Sequence, residues 1–136
     1  MIALTLPPYA LWLGVSVEER PDGPLFRLDF APDIVGRPGF VHGGALGGLL
    51  EIAAVGTLRH ALAAEEQAPV AKPVSVGFDF MRGARERETW AAARIVRLGA
   101  RIATVEARAW QDDPDRPVAT ARMTLLLDRE PPDGPA

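Results

Sequence analysis

One acidic residue stands apart in the longest apolar segment of the chain. Glu51 is the only charged residue between His42 and Arg59. A carboxylate in apolar surroundings is costly unless it is paired or used in chemistry, and a partly desolvated carboxylate is a stronger base than one in water. Two interpretations stay open here: Glu51 is a catalytic carboxylate, or it reaches solvent or pairs with a cation such as Arg59.

Two glycines, Gly43 and Gly44, follow His42 at the start of the same segment. Without side chains they let the backbone approach a ligand closely. The first N–H groups of a helix lack partners within the helix and carry the positive end of its dipole, so they can bind an anion or a developing oxyanion. The alternative is a tight turn that packs against a neighbour, with His42 as a helix cap or a buried histidine.

The spacing of Gly43 and Glu51 limits how they can cooperate. Eight helical residues separate them by about 12 Å along the axis, so one carbonyl group cannot contact both within one chain. If both serve one reaction, two copies of the helix must meet antiparallel across a two-fold axis.

A buried helix is predicted to carry these residues. Residues 43–64 contain no proline, are too many for a strand, and are apolar nearly all round before Arg59. Upstream, residues 14–19 and 24–30 alternate in character around a turn at 20–23, which predicts a β-hairpin.

Four strand-like runs follow the helix, at residues 72–81, 87–97, 101–111 and 117–127. The breaks between them, at 82–85, 98–100 and 112–115, are short, so we expect neighbouring strands to be antiparallel. In the first run, alternation puts the larger apolar side chains on one face and the small or polar ones on the other: Val74, Val76, Phe78 and Phe80 against Ser75, Gly77 and Asp79.

The order ββαββββ, with an optional short helix at 7–13, predicts an α+β fold of one helix on one long antiparallel sheet. Residues 1–128 would form a single domain and residues 129–136 a disordered tail. Because a helix that is apolar all round needs more cover than one sheet face, either the sheet curls around it or a second subunit completes the cover.

Composition narrows the classes of function. The 136 residues include no cysteine, which excludes disulfides and thiolate metal sites, and His42 and His60 are too few for a histidine cluster. A net charge of −3 argues against nucleic acid as a partner. The N-terminus has no basic region and is interrupted by Pro7-Pro8, so it is a poor signal peptide, and no stretch approaches the length of a membrane span. We therefore expect a soluble cytoplasmic protein.

The residues that could take part in a reaction also match a known pattern. His42-Gly43-Gly44, followed by Leu49 and Glu51, resembles the HGG…(D/E) segment of hotdog-fold thioesterases, in the branch that holds phenylacetyl-CoA, 4-hydroxybenzoyl-CoA and medium-to-long acyl-CoA thioesterases. The segments PVSVGFDFMRGA, RIVRLGARIATVEARAW and PVATARMTLLL fit as well, so the resemblance covers roughly residues 14–127.

The resemblance implies a hotdog fold, in which a curled antiparallel sheet wraps around a central helix, and a homodimer or homotetramer with sites at the dimer interface. The substrate would be an acyl-CoA, with no metal or other cofactor. The Gly43 N–H would polarise the thioester carbonyl, and His42 would hold the loop or orient the substrate. Glu51 of the partner would activate water or attack the carbonyl, and Ser75 matches a serine that holds the water in some members.

The resemblance also suggests CoA contacts and reveals one departure. Arg97 and Arg101 match a strand–turn–strand region that lies near CoA in relatives, although solvated charges flanking a turn are an equal explanation. Where the family often has Asn or Gln, six residues before the histidine, this chain has Gly36. The change implies slower turnover, a replacement from Arg37, or a different substrate.

Two rival functions stay open. A hotdog enoyl-CoA hydratase needs a histidine upstream of the helix, and the region before Gly39 contains none. An acyl-CoA-binding module without turnover is favoured by Gly36; as a sensor it would need a separate DNA-binding partner, because the residues before Gly14 are too few for a helix-turn-helix. The sequence does not name the acyl group.

Overall fold

The computed structural model describes residues 4–129, which form a six-stranded sheet and two α-helices. The helices are α1 (Pro8–Leu13) and α2 (Gly43–Leu62), and a 3-10 turn covers Pro32–Ile34. The strands are β1 (Val15–Arg20), β2 (Gly23–Leu28), β3 (Val70–Phe80), β4 (Thr89–Leu98), β5 (Ile102–Trp110) and β6 (Ala119–Asp128). The predicted α+β class, the hairpin, the long helix and the optional short helix are confirmed.

The sheet order is β1-β2-β4-β5-β6-β3, with every pair antiparallel. The expectation that the strands on either side of the 82–85 break would be neighbours is wrong, because β3 pairs with β6 at one edge and β4 pairs with β2. The backbone of the break pairs elsewhere: the Val41 N–H donates to the Ala84 carbonyl at 2.9 Å, and Phe40 forms a bridge with Arg85. These contacts lead the chain past the start of α2 to β4, which pairs with β2.

The core lies between α2 and the inner face of the sheet. Leu49, Leu50 and Leu58 are fully buried on α2. The strands facing the helix contribute many alanines, among them Ala91, Ala103, Ala107, Ala109, Ala119 and Ala121. Small residues let the backbone of the sheet approach the helix closely, so the sheet can curl around α2 as predicted.

The expectation that no segment has the length of a membrane span is wrong for α2. By length and composition, Gly43–Leu62 could cross a membrane, with a mean hydropathy of 1.2. However, 61% of this window is buried inside the protein, which is typical of the core helix of a folded domain.

Strand β3 is an open edge of the sheet. Its Val76 and Phe78 pack against the core, whereas Ser75 is exposed, as the alternation predicts. A bulge between Pro73 and Ser75 interrupts the pairing with β6 and leaves Val74 62% exposed. An edge strand with exposed apolar side chains can pair with another chain.

At the other end of the domain, Arg129 closes the described part of the chain. Its guanidinium donates to the Glu65 carboxylate at 3.0 Å and to the Ala100 carbonyl at 3.4 Å. The rest of the predicted tail, residues 130–136, lies outside the described residues.

The Gln111 side chain anchors the loop between β3 and β4. Its amide oxygen accepts from the Arg85 N–H at 2.8 Å, and its amide nitrogen donates to the Arg85 carbonyl at 2.9 Å and to the Thr89 hydroxyl at 3.2 Å. Thr89 is fully buried. One side chain therefore fixes the loop that packs against Phe40.

We expect Gln111→Ala to lower the free energy of unfolding by about 1–2 kcal/mol, because the loop backbone and the buried Thr89 hydroxyl lose their hydrogen bonds to this side chain. Gln67→Ala is the matched control, since Gln67 is exposed and has no hydrogen bond within residues 4–129. Urea denaturation measures both. Equal stability of the two variants would show that the Gln111 contacts do not hold the loop.

Candidate functional site

The start of α2 is organised by a histidine cap. His42 is the N-cap residue, and its Nδ1 accepts a hydrogen bond from the Gly44 N–H at 2.8 Å. With Nδ1 as an acceptor, a neutral ring carries its proton on Nε2. A Cβ at position 44 would lie 2.9 Å from this Nδ1, so the cap requires a glycine there. His42 is thus a helix cap, one of the roles that the sequence left open.

One backbone donor at this helix end has no partner. The N–H groups of Ala45 and Leu46 donate to the His42 carbonyl, and that of Gly44 donates to the imidazole. Within residues 4–129, the Gly43 N–H makes no hydrogen bond. The positive end of the helix dipole therefore presents one free donor, which suits a carbonyl oxygen that gains negative charge.

Glu51 lies two turns further along the same helix face. It is half-buried, and among the described residues it has no hydrogen-bond or ion-pair partner. The ion pair with Arg59 considered from the sequence is not formed. A carboxylate without a protein partner is free to accept a proton or to attack an electrophile. Residues 4–129 contain no group of three histidine or acidic side chains that could hold a metal ion.

The free N–H and the free carboxylate line one cavity of about 250 Å³. Four glycines of α2 form its floor, and aromatic rings form its walls; the lining is Tyr9, Gly43, Gly44, Gly47, Gly48, Glu51, Phe78 and Phe80. A Cβ at Gly47 would lie 3.4 Å from the Phe78 ring, and one at Gly43 would lie 3.5 Å from the Phe80 ring. The glycines thus bring the rings of β3 onto the helix backbone. We call this space the glycine cavity.

A second cavity, of about 580 Å³, adjoins the first at Gly43 and Phe80. It contains His42, Arg37 and Arg82. The Arg37 guanidinium stacks on the Phe40 ring at 4.2 Å, and the Arg85 guanidinium stacks on the same ring at 4.6 Å. This space is therefore cationic, and we call it the arginine cavity.

Gly36 also borders the arginine cavity. A Cβ at this position would lie 3.1 Å from the His42 Cα, so a longer residue would point its side chain towards the cap. The departure from the family pattern therefore lies beside the candidate site, and Arg37 lines the same cavity.

Three predicted residues are not brought to these cavities within one chain. Ser75 lies on the face of β3 opposite Phe78 and Val76. Arg97 and Arg101 lie at the other end of the sheet, where the Leu127 N–H donates to the Arg101 carbonyl at 2.7 Å. Both guanidiniums are exposed and without an ion pair among the described residues, so they remain available to an anion.

The sequence did not identify Tyr9 or Arg82 as site residues. Tyr9 lies in a helix of only six residues, far from Glu51 along the chain, and no local periodicity connects the two. Arg82 follows β3 in what looked like an ordinary turn. For Tyr9 the signal in the sequence was the run of α2 glycines, which indicates that something packs closely against that face.

Most of the chain matches one known protein family. Residues 32–126 match the family described as the acyl-CoA thioesterase N-terminal domain. A Chromobacterium violaceum protein of solved structure is 35% identical, with coverage of 88% of this chain and 82% of that one, and a TM-score of 0.70. No curated protein gives a significant match.

Two more distant structures share the fold. A phenylacetic acid degradation-related protein from Ralstonia eutropha is 22% identical, covers 90% of this chain and 92% of its own, and gives a TM-score of 0.78. A Bacillus halodurans protein solved with CoA is 21% identical, covers 90% and 80%, and gives a TM-score of 0.76.

We expect His42→Ala to cost about 1 kcal/mol of stability, because the Gly44 N–H loses its cap. His42→Asn offers a side-chain oxygen as an alternative cap and should recover most of that loss. Thermal unfolding compares the three proteins. If His42→Asn is no more stable than His42→Ala, the cap contributes nothing; recovery of stability without recovery of activity would give the imidazole a further role towards substrate.

Proposed function

The chain belongs to the acyl-CoA thioesterase family and is a thioester hydrolase, and we propose that it hydrolyses the thioester bond of an acyl-CoA in a site formed by Gly43 and Glu51. The observation that carries the proposal is that two groups lining the glycine cavity lack partners within residues 4–129: the Gly43 N–H at a helix N-terminus and the Glu51 carboxylate. The bound CoA of the Bacillus halodurans structure supports CoA as the carrier.

The thioester carbonyl oxygen would accept the Gly43 N–H, which draws electron density from the carbonyl carbon. Glu51 would take a proton from water as the oxygen of that water attacks the carbon. The tetrahedral oxyanion would then collapse, the C–S bond would break, and the CoA thiolate would take up the proton that Glu51 had accepted, which leaves Glu51 ionised for the next turnover. Alternatively, the Glu51 carboxylate would attack the carbonyl carbon and expel the CoA thiolate as the C–S bond breaks, and water would then hydrolyse the resulting anhydride to the free acid and Glu51. Both routes use the same two groups.

We further propose that each site is shared between two chains. Gly43 and Glu51 line one cavity, but they lie about 12 Å apart along the α2 axis, so a second α2 running antiparallel would bring its Glu51 to this Gly43. The open β3 edge supports such pairing: Val74 and Phe80 are 62% and 57% exposed there. Antiparallel β3 strands would join two sheets into a homodimer, and two dimers could form a homotetramer.

The same two-fold arrangement would assign the distant arginines a role. Antiparallel helices put the end of one sheet near the start of the partner's α2, so Arg97 and Arg101 could contact the CoA phosphates from across the interface. Arginine forks suit phosphate groups. A role for Ser75 in holding the water is supported only by the family resemblance. Because Ser75 lies on the face of β3 opposite the glycine cavity, we expect its loss to have a small effect on the rate of hydrolysis. The cytoplasmic location stays a prediction.

Binding without turnover is the second candidate. Gly36 favours this candidate, because the Asn or Gln side chain that the family often has at this position is absent. A side chain there would point towards His42 and could support the carbonyl or the water. Nanomolar affinity for acyl-CoAs combined with undetectable hydrolysis would support this candidate over the first. Hydration of crotonyl-CoA would instead indicate a hydratase.

We expect Glu51→Gln to reduce kcat for the best acyl-CoA substrate by about 10²-fold or more, because the amide can neither accept the proton nor attack. Thiol release measured with a chromogenic disulfide, in the presence and absence of a chelator, gives the rate. Ser75→Ala is the comparison and should lose far less. A Glu51→Gln enzyme with near-normal kcat, folded by circular dichroism, would make Glu51 structural.

The shared site is tested by mixing two inactive variants. Gly43→Pro removes the oxyanion donor and should fold, because His42 already has the extended φ −61, ψ 136 that precedes proline. Refolding it together with Glu51→Gln should restore about a quarter of wild-type activity: half the dimers are mixed, and half of their sites are intact. If each site lies within one chain, mixing restores nothing.

Gly43→Ala is the matched control for the proline variant. It keeps the N–H, and its Cβ would make an ordinary 3.5 Å contact with Phe80. Most of the activity should therefore remain in Gly43→Ala and be lost in Gly43→Pro.

A further inference from the structure

Helix α1 lies across the glycine face of α2. Ala10 is fully buried and Leu13 is nearly so, and these two side chains anchor α1 to the core. Leu11 and Trp12 are 66% and 79% exposed. Tyr9 is intermediate between these groups: half of it is exposed, and its ring stacks on Trp12 with centroids 6.1 Å apart.

The Tyr9 ring reaches the glycine cavity over Gly48. A Cβ at Gly48 would lie 2.8 Å from the Tyr9 hydroxyl oxygen and 3.0 Å from the Leu13 side chain. The absence of a side chain at Gly48 therefore makes room for the phenol. Gly48 and Glu51 are three residues apart on α2 and thus on one helix face, and the phenol and the candidate carboxylate line the same cavity.

Anchoring of α1 does not explain this placement. Ala10 and Leu13 already supply buried contacts, and a tyrosine that is half exposed adds little to them. The Tyr9 hydroxyl also has no hydrogen-bond partner within residues 4–129. The Tyr9 ring instead forms a wall of the glycine cavity, which Glu51 also lines.

We propose that the Tyr9 ring, as one wall of the glycine cavity, limits the size of the acyl group, an inference that rests on the thioesterase function proposed above. At about 30 Å³ per non-hydrogen atom, taken from the volume per water molecule in the liquid, the 250 Å³ of the cavity holds about eight such atoms. The enzyme is therefore selective for compact apolar acyl groups, and longer chains meet the Tyr9 ring.

The test compares kcat/KM for butanoyl-, octanoyl- and dodecanoyl-CoA. Tyr9→Ala should raise the dodecanoyl-to-butanoyl ratio by about tenfold or more, because each newly buried methylene group adds a factor of several. Tyr9→Trp should lower the octanoyl-to-butanoyl ratio. Opposite shifts from a smaller and a larger side chain are not produced by loosening of α1. Tyr9→Phe keeps the wall and should keep the wild-type profile.

Leu11→Ala is the matched control, because Leu11 lies on the same short helix and does not line the cavity. Calorimetric binding of butyl, octyl and dodecyl thioethers of CoA repeats the comparison without turnover. If Tyr9→Ala and Tyr9→Trp both leave the wild-type size profile unchanged, Tyr9 does not limit the acyl group. If the wild type binds the thioethers with a Tyr9-dependent size limit and hydrolyses no acyl-CoA, the size limit stands and the proposed hydrolysis fails.

Discussion

The need to cover α2 on every side governs the rest of the structure. A helix with leucines and alanines around most of its circumference is stable in water only when protein surrounds it. The curled sheet covers most of it, and α1 covers part of the glycine face. Among the described residues, cover is incomplete near Gly43 and Glu51, where one N–H and one carboxylate lack partners. A substrate or a second chain that binds at this side of α2 would bury exposed apolar surface and give both polar groups a partner.

The glycines of α2 explain how that side stays open. Glycine inside a helix costs roughly 1 kcal/mol relative to alanine, yet this helix has glycines at positions 44, 47, 48 and 56. Each has a separate steric reason: a Cβ would meet the His42 ring, Phe78, the Tyr9 phenol or Phe26. The glycines lower the helix propensity of α2, but they let aromatic rings and the His42 cap approach its backbone. These close approaches form the floor and the walls of the cavity.

Local pattern predicted the elements but not all of their partners. The 3.6-residue and two-residue periods located α2, β3 and the other strands within a few residues, because burial imposes those periods directly. The pairing of β3 with β6, and the approach of Tyr9 to Glu51, depend on where a loop crosses and on which glycine leaves room. Those are contacts between distant segments, and nothing in the spacing of either segment encodes them. The family resemblance supplied the roles of Gly43 and Glu51, whereas the geometry supplied their lack of partners.

The separation of the Gly43 N–H from Glu51 along α2 affects how strongly the helix dipole acts on the carboxylate. A carboxylate placed beside the first turn of α2 would be stabilised in its charged form by the helix dipole and would be a weaker base and nucleophile for that reason. Two turns along the helix, Glu51 is beyond most of that field, which falls off within the first turn. The oxyanion needs the dipole, whereas the base is weakened by it. A site shared by two antiparallel copies of α2 would place the Glu51 of one chain beside the helix end of the other, so the same conflict would arise at the interface. Exclusion of water by the two subunits would act against it, because desolvation favours the neutral carboxyl group and so strengthens the carboxylate as a base.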